Sequence, residues 1–210
     1  MSFEIWITFV AASTVLLLIP GPTVLLVLSY ALSQGRRVAV ATAAGVAFGD
    51  LIAMSASLAG LGALVLASAT LFTFIKWIGA AYLVYLGTKL LLSASSSKLG
   101  DVTENAAIPP SGVFGHAAAV TALNPKSIVF FIAFVPQFIV PTDPLFLQFA
   151  ILIATFVGMA AVNALAYALM ADRLRSKISN SSLLGWLSRL GAGALIAMGI
   201  ATALARRSAA

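Results

Sequence analysis

Apolar residues along the chain gather into long continuous runs, separated by short polar connections. The first, from Ile5 to Leu32, carries no charge. Runs of about 20 apolar residues are the signature of membrane-spanning helices. The pattern predicts six spans: roughly Phe3 to Leu32, Val38 to Leu66, Leu71 to Leu92, Val113 to Val140, Leu145 to Ala171 and Leu183 to Leu204. The runs far exceed the roughly 10-residue alternating segments of an outer-membrane barrel. The opening MSFEIW has no basic region and leads to no clear small-residue cleavage site, so the first span is read as retained.

Two spans are interrupted. Pro20-Gly21-Pro22 breaks the first, and Asn124-Pro125 breaks the fourth. As one helix, Ile5 to Leu32 would reach about 42 Å, which a tilted span tolerates, so length alone does not explain the break. In lipid, non-helical backbone persists only beside protein or a wet cavity. Proline is favoured at the first position of a helix, so Pro22 and Pro125 can each start a half-helix, with Asn124 as a cap for the second. A helix start presents free N–H groups and partial positive charge, which suits a carboxylate. The competing explanation is a proline kink that serves packing alone.

Composition agrees with a membrane protein: 61% of residues are hydrophobic and 9% charged, against about 25% charged in soluble domains. Cysteine is absent, which excludes disulfides, thiolate metal sites and thiol redox chemistry. The net charge of +6 reflects cations at helix ends, not a basic stripe, so no nucleic-acid partner is expected. The connections at 33–37, 93–112 and 172–182 carry Arg36, Arg37, Lys98, Arg173, Arg175 and Lys177; those at 67–70 and 141–143 carry no cation. The positive-inside rule puts the first set in the cytoplasm and the N-terminus outside. Arg206 and Arg207 oppose an external C-terminus and keep a five-span variant open. The polar segment 93–112 then joins a first three-helix repeat, 1–92, to a second, 113–210. An odd number of spans per half gives the halves opposite orientation, the inverted-repeat plan of many secondary transporters.

Few polar groups lie deep in the spans. Asp50 follows Arg37 by about 20 Å of helix, and a carboxylate there needs a partner or a proton. Gly45 and Gly49, one turn apart, allow close approach of a neighbouring helix beside it. Lys126 is too deep to snorkel with ease and can pair with Asp50 or with a substrate carboxylate. Lys76 is nearer an outer end and can snorkel; Tyr82 or Tyr85 can line a cavity; Asn163 is a further deep polar residue. Gln137, His116 and Arg189 lie near span ends, and Gly191, Gly193 and Gly199 read as packing residues. The chain has no phosphate-binding loop, no nucleophile triad and no metal-ligand cluster, so neither an enzyme nor a bound cofactor is expected, and uphill transport would draw on an ion gradient.

The stretches IPGPTVLLVLSYALSQGRRVAVATAAGVAFGD (19–50), KWIGAAYLVYLGTKLL (76–91) and LNPKSIVFFIAFVPQFI (123–139) resemble the amino-acid exporters of the lysine-exporter and homoserine/threonine-resistance type, LysE/RhtB. The likeness covers nearly the whole chain, in order and at the right spacing. It implies a bacterial inner-membrane secondary transporter that exports amino acids or related metabolites, exchanging them for protons. The family pattern falls on Pro20, Gly21, Pro22, Gln34, Gly35, Gly49, Asp50, Lys76, Gly79, Tyr82, Gly87, Asn124, Pro125, Lys126, Pro136 and Gln137. It departs at Thr23, where such proteins frequently have asparagine.

The combined expectation is an all-α, six-span amino-acid exporter with a site near the midplane, between inverted halves. Its candidate residues are Pro20, Gly21, Pro22, Thr23, Gly49, Asp50, Lys76, Tyr82, Asn124, Pro125, Lys126 and Asn163. A half-helix start at Asn124, Pro125 and Lys126 would take the substrate carboxylate, and Asp50 the α-ammonium or a proton. One deep carboxylate against Lys126 and Lys76 favours a neutral substrate such as threonine, homoserine or leucine. A metal or inorganic-ion exporter, which would want several deep carboxylates or histidines, and a non-transporting membrane partner remain as alternatives. Homodimerisation through small-residue faces stays open.

Overall fold

The computed structural model describes residues 1–19, 21–67, 69–93, 108–178 and 181–204, with backbone alone at 61–67, 69–72, 75–76, 90, 93, 171–178, 181–188 and 191. Among these residues every regular element is helical. In chain order they are α1 (Phe3–Leu18), α2 (Pro22–Gln34), a 3-10 turn (Gly35–Val38), α3 (Ala39–Ala67), α4 (Ala69–Ser93), α5 (Pro110–Ala122) and α6 (Pro125–Val129). A π-helical turn (Phe130–Phe134), a 3-10 turn (Val135–Phe138), α7 (Leu145–Ile178) and α8 (Ser181–Leu204) complete the series.

Two described helical stretches are long and apolar enough to cross a bilayer, 22–60 and Leu145–Met170. A third arises if Pro110–Ala122 and Pro125–Phe138, bent by 42° at their junction, count as one span. Phe3–Leu18 and Ala192–Leu204 are apolar but shorter. Large apolar side chains such as Phe48, Leu51, Ile52, Val162 and Ile200 face outward, as they would toward lipid. Residues 94–107 of the predicted connection and the tail carrying Arg206 and Arg207 lie outside the described residues.

Both predicted breaks are present. After Leu18 the chain is extended at Ile19 (φ −69°, ψ 119°), and Gly21, also extended, precedes Pro22 at the first turn of α2. Pro20 lies outside the described residues. The second break is at Asn124 (φ −70°, ψ 110°), whose Oδ1 accepts from the Lys126 N–H at 3.1 Å, with Pro125 opening α6. Proline at a first helical turn forfeits no bond, which is why both prolines start helices here. The connection near 33–37 turns through Gly35, whose φ of +66° is left-handed backbone that a Cβ would strain.

Helix α3 packs on α5 and α7, and α4 packs on α8. The α3–α5 contact is main chain against main chain: a Cβ on Gly45 would lie 2.5 Å from the Phe114 carbonyl oxygen, and one on Gly49 2.5 Å from that of Ala118. The expected close approach beside Asp50 is therefore made by α5. Gly87 and Gly199 play the same part between α4 and α8, whereas Gly193, expected to pack, faces open space. At one end of the molecule a buried aromatic cluster of Phe9, Phe130, Phe131, Phe134, Phe138 and Phe156 locks the π turn against α1 and α7. The wider π turn lets Phe130, Phe131, Ala133 and Phe134 all be buried within five residues.

Candidate functional site

The two breaks meet. Asn124 Nδ2 donates to Thr23 Oγ1 at 3.1 Å, and Thr23 Oγ1 lies 3.4 Å from Thr121 Oγ1. Asn124, 2% exposed, thus uses its amide oxygen to cap α6 and its amide nitrogen to hold the first turn of α2. Lys126 crosses in the other direction. Its ammonium donates to the carbonyl oxygens of Leu16 at 3.1 Å and Ile19 at 3.0 Å, at the end of α1. Carbonyls at a helix end lack their usual intrahelical donor; Leu16 O also accepts the Ile19 N–H at 3.3 Å, and the lysine of one break supplies the donor that Ile19 O lacks at the other. The side chain passes over Gly21, where an added Cβ would lie 3.3 Å from its Nζ. Asn163 of α7 reaches the same helix end, donating from Nδ2 to Leu17 O at 3.2 Å.

Of these residues Leu16, Leu17, Thr23, Asn124, Lys126 and Asn163 line one cavity of about 30 Å³, with Asp50 facing them from α3. Asp50 is 2% exposed, and its Oδ1 has no hydrogen-bond partner. Asp50 and Lys126 form no ion pair, so the alternative that they pair directly is not realised in this conformation. The polar wall is Thr23, Asp50, Asn124, Lys126, Ser127 and Asn163, and the apolar wall includes Leu17, Val24, Val27, Val46, Ala160 and Ala164. A cavity of this size holds about one or two waters. Any larger solute can enter only if the surrounding helices part.

Of the sequence candidates, Thr23, Asp50, Asn124, Lys126 and Asn163 come together in this wall. Gly21 and Gly49 support it from behind, Gly21 beneath Lys126 and Gly49 at the α5 contact, and Pro22 and Pro125 open the two half-helices. Tyr82 is not part of the lining; its ring lies against that of Tyr85 on α4, tilted by 40° with centroids 5.8 Å apart. The backbone at Lys76 is in α4, and its side chain lies outside the described residues. Sequence reading missed Val46, Ser127 and Tyr167, all of which face the cavity. Helical spacing carried the signal: Val46 is one turn before Asp50, Tyr167 one turn after Asn163, and Ser127 follows Lys126.

Outside the cavity, Tyr30 OH and His116 Nδ1 are 2.7 Å apart, and Gln34 Oε1 accepts from the Ile108 N–H at 3.3 Å. The bonds tie α2 to the middle of α5 and to the segment just before it. At the opposite end Gln137 Nε2 donates to Thr202 Oγ1 at 2.9 Å, joining the 3-10 turn to α8.

A family model described as LysE type translocator matches residues 14–207. The chain is 33% identical over 208 residues to a homoserine/homoserine lactone efflux protein of Salmonella typhimurium, covering 99% of this chain and 100% of the relative. It is 32% identical over 206 residues to an uncharacterized membrane protein of Vibrio cholerae, covering 98% of this chain and 100% of the relative. A leucine efflux protein of Salmonella choleraesuis is 35% identical over 137 residues, 65% of this chain and 64% of the relative. No solved structure matches the chain.

Proposed function

The chain belongs to the LysE type translocator family, and from that premise we propose that it exports amino acids across the bacterial inner membrane. The relatives named for homoserine and leucine efflux support an uncharged substrate side chain. The observation that carries the reading is the cavity, which sets an unpartnered Asp50 carboxylate and the Lys126 ammonium on one small space, without contact between them. A zwitterion carries the complementary pair of charges, and the apolar wall from Val24, Val27, Val46 and Ala164 suits a neutral side chain.

The substrate carboxylate binds at the half-helix start of Asn124, Pro125 and Lys126, and Asp50 receives the α-ammonium or a proton in alternation. Exclusive occupancy of Asp50 couples export to proton entry. The fold behind this is six spans in two inverted halves, with the N-terminus on the periplasmic side. Its support is the pattern of contacts. The fourth span packs on α3 through α5, the first packs on α7 through α1 and α2, α3 meets α7, and α4 meets α8, each contact with its counterpart under a two-fold exchange of halves. Asn163 also meets the end of α1 much as Gly49 meets the end of α5.

The test is transport in proteoliposomes loaded with labelled amino acids under an imposed pH gradient. Wild type is expected to release neutral amino acids in a gradient-dependent way, and Asp50→Asn to lose that dependence. Gradient-driven export retained in Asp50→Asn removes the proton role. Absence of any amino-acid efflux from folded protein turns the reading toward inorganic ions.

A further inference from the structure

Lys126 is already doing with its own ammonium what a substrate ammonium would have to do. Two acceptors at the end of α1, Leu16 O and Ile19 O, hold Nζ at 3.1 and 3.0 Å. Asp50, whose buried Oδ1 has no partner, lines the same cavity as Leu16 and Lys126. We infer that the C-terminal end of α1 is a binding subsite for a primary ammonium group, held here by the Lys126 side chain and taken by the α-ammonium of the transported amino acid when Lys126 withdraws. The inference rests on the export reading for the identity of the natural occupant, but not for the existence of the subsite.

The physical argument is one of exchange. When Lys126 leaves, Leu16 O keeps the Ile19 N–H at 3.3 Å, but Ile19 O loses its donor, and a backbone acceptor left bare at membrane depth costs several kcal/mol. The partial negative charge of a helix end adds preference for a cation. Lys126 therefore leaves at low cost only if another N–H-bearing cation replaces it. A substrate amino acid brings both halves of the swap: its carboxylate draws Lys126 toward the start of α6, and its ammonium fills the vacated carbonyls. A free ammonium has three N–H groups. Two match Leu16 O and Ile19 O, and the third remains for Asp50, a carboxylate the tethered lysine does not contact. Without substrate the lysine stays in place and no cation passes, which gives the exporter a guard against leak.

The chain has no cysteine, so Lys126→Cys creates a single thiol. The thermal-unfolding midpoint of the purified protein is followed against methylammonium, tetramethylammonium and sodium chlorides at matched ionic strength. Lys126→Cys should show a saturable rise of a few degrees with methylammonium alone, since tetramethylammonium has no N–H to donate. Wild type should show none. Alkylating the thiol with bromoethylamine, which restores a lysine-length ammonium, should abolish the response. With Asp50→Asn added, the response should persist at weaker apparent affinity. Lys126→Gln carries the same test where Lys126→Cys is poorly folded. No selective methylammonium response in either Lys126 variant overturns the subsite. So does a response that vanishes with Asp50→Asn, because the cation then sits on Asp50 alone. Neither result bears on whether amino acids cross proteoliposomes, so the two readings fail separately.

Discussion

Replacing Gly49 by alanine and Gly158 by alanine makes the same chemical change in two helices with opposite expected outcomes. Alanine in a helix interior is favoured over glycine by about 0.8–1.0 kcal/mol. At Gly158 of α7 an added Cβ meets nothing within 4 Å, so that gain stands alone. At Gly49 the Cβ would lie 2.5 Å from Ala118 O, 2.7 Å from the Thr121 Cβ and 3.0 Å from the Ala122 N. Ordinary carbon–oxygen approach is about 3.3–3.6 Å, so α3 and α5 must separate by most of an ångström. Two of the three obstacles are backbone, which yields less readily than a side chain. Overpacking of this kind costs about 1–3 kcal/mol, which offsets or exceeds the propensity gain. The two variants should therefore differ by about 1–3 kcal/mol, or about 2–12 °C in unfolding midpoint for a chain of this size. Both are measured on purified protein in the same detergent by intrinsic fluorescence or circular dichroism. Because Gly49 adjoins Asp50, the same variant should also lose transport. A Gly49→Ala midpoint equal to or above that of Gly158→Ala would refute the close α3–α5 contact.

Asn124→Ala removes both the α6 cap and the bond to Thr23, with an expected loss of about 1–2 kcal/mol and a raised half-saturation for substrate; unchanged transport kinetics would count against the joined breaks. Tyr30→Phe removes the bond to His116, which lies away from the cavity, so a stability loss of about 0.5–1.5 kcal/mol should come without a change in substrate affinity, as read by substrate-induced thermal shift.

Much of the arrangement was legible in the chain. The two prolines start helices because a missing N–H costs nothing at a first turn, a rule that needs no tertiary context. Asn124 as a cap and Gly49 as a contact point follow in the same way from side-chain chemistry and spacing. What the chain could not disclose is which partner each deep polar group takes. Lys126 had two anionic partners open to it by charge, yet it bonds neutral carbonyls, because the helix end opened by the first break lies within its reach. Tyr82 and Tyr167 are alike as residues, and only the packing of α7 beside α1 and α2, away from the Tyr82–Tyr85 pair on α4, puts Tyr167 at the cavity.

The sequence by itself determined the helical class, the positions of both breaks and four of the polar side chains at the cavity, Asp50, Asn124, Lys126 and Asn163, because in lipid these follow from local rules on backbone bonds and apolar length. The tertiary structure alone decided that the breaks face each other and share bonds, that Asp50 is left without a partner, and that the space between them is only about 30 Å³. Those outcomes depend on how closely α3, α5 and α7 approach, a matter of contacts between residues far apart in the chain that no local pattern encodes.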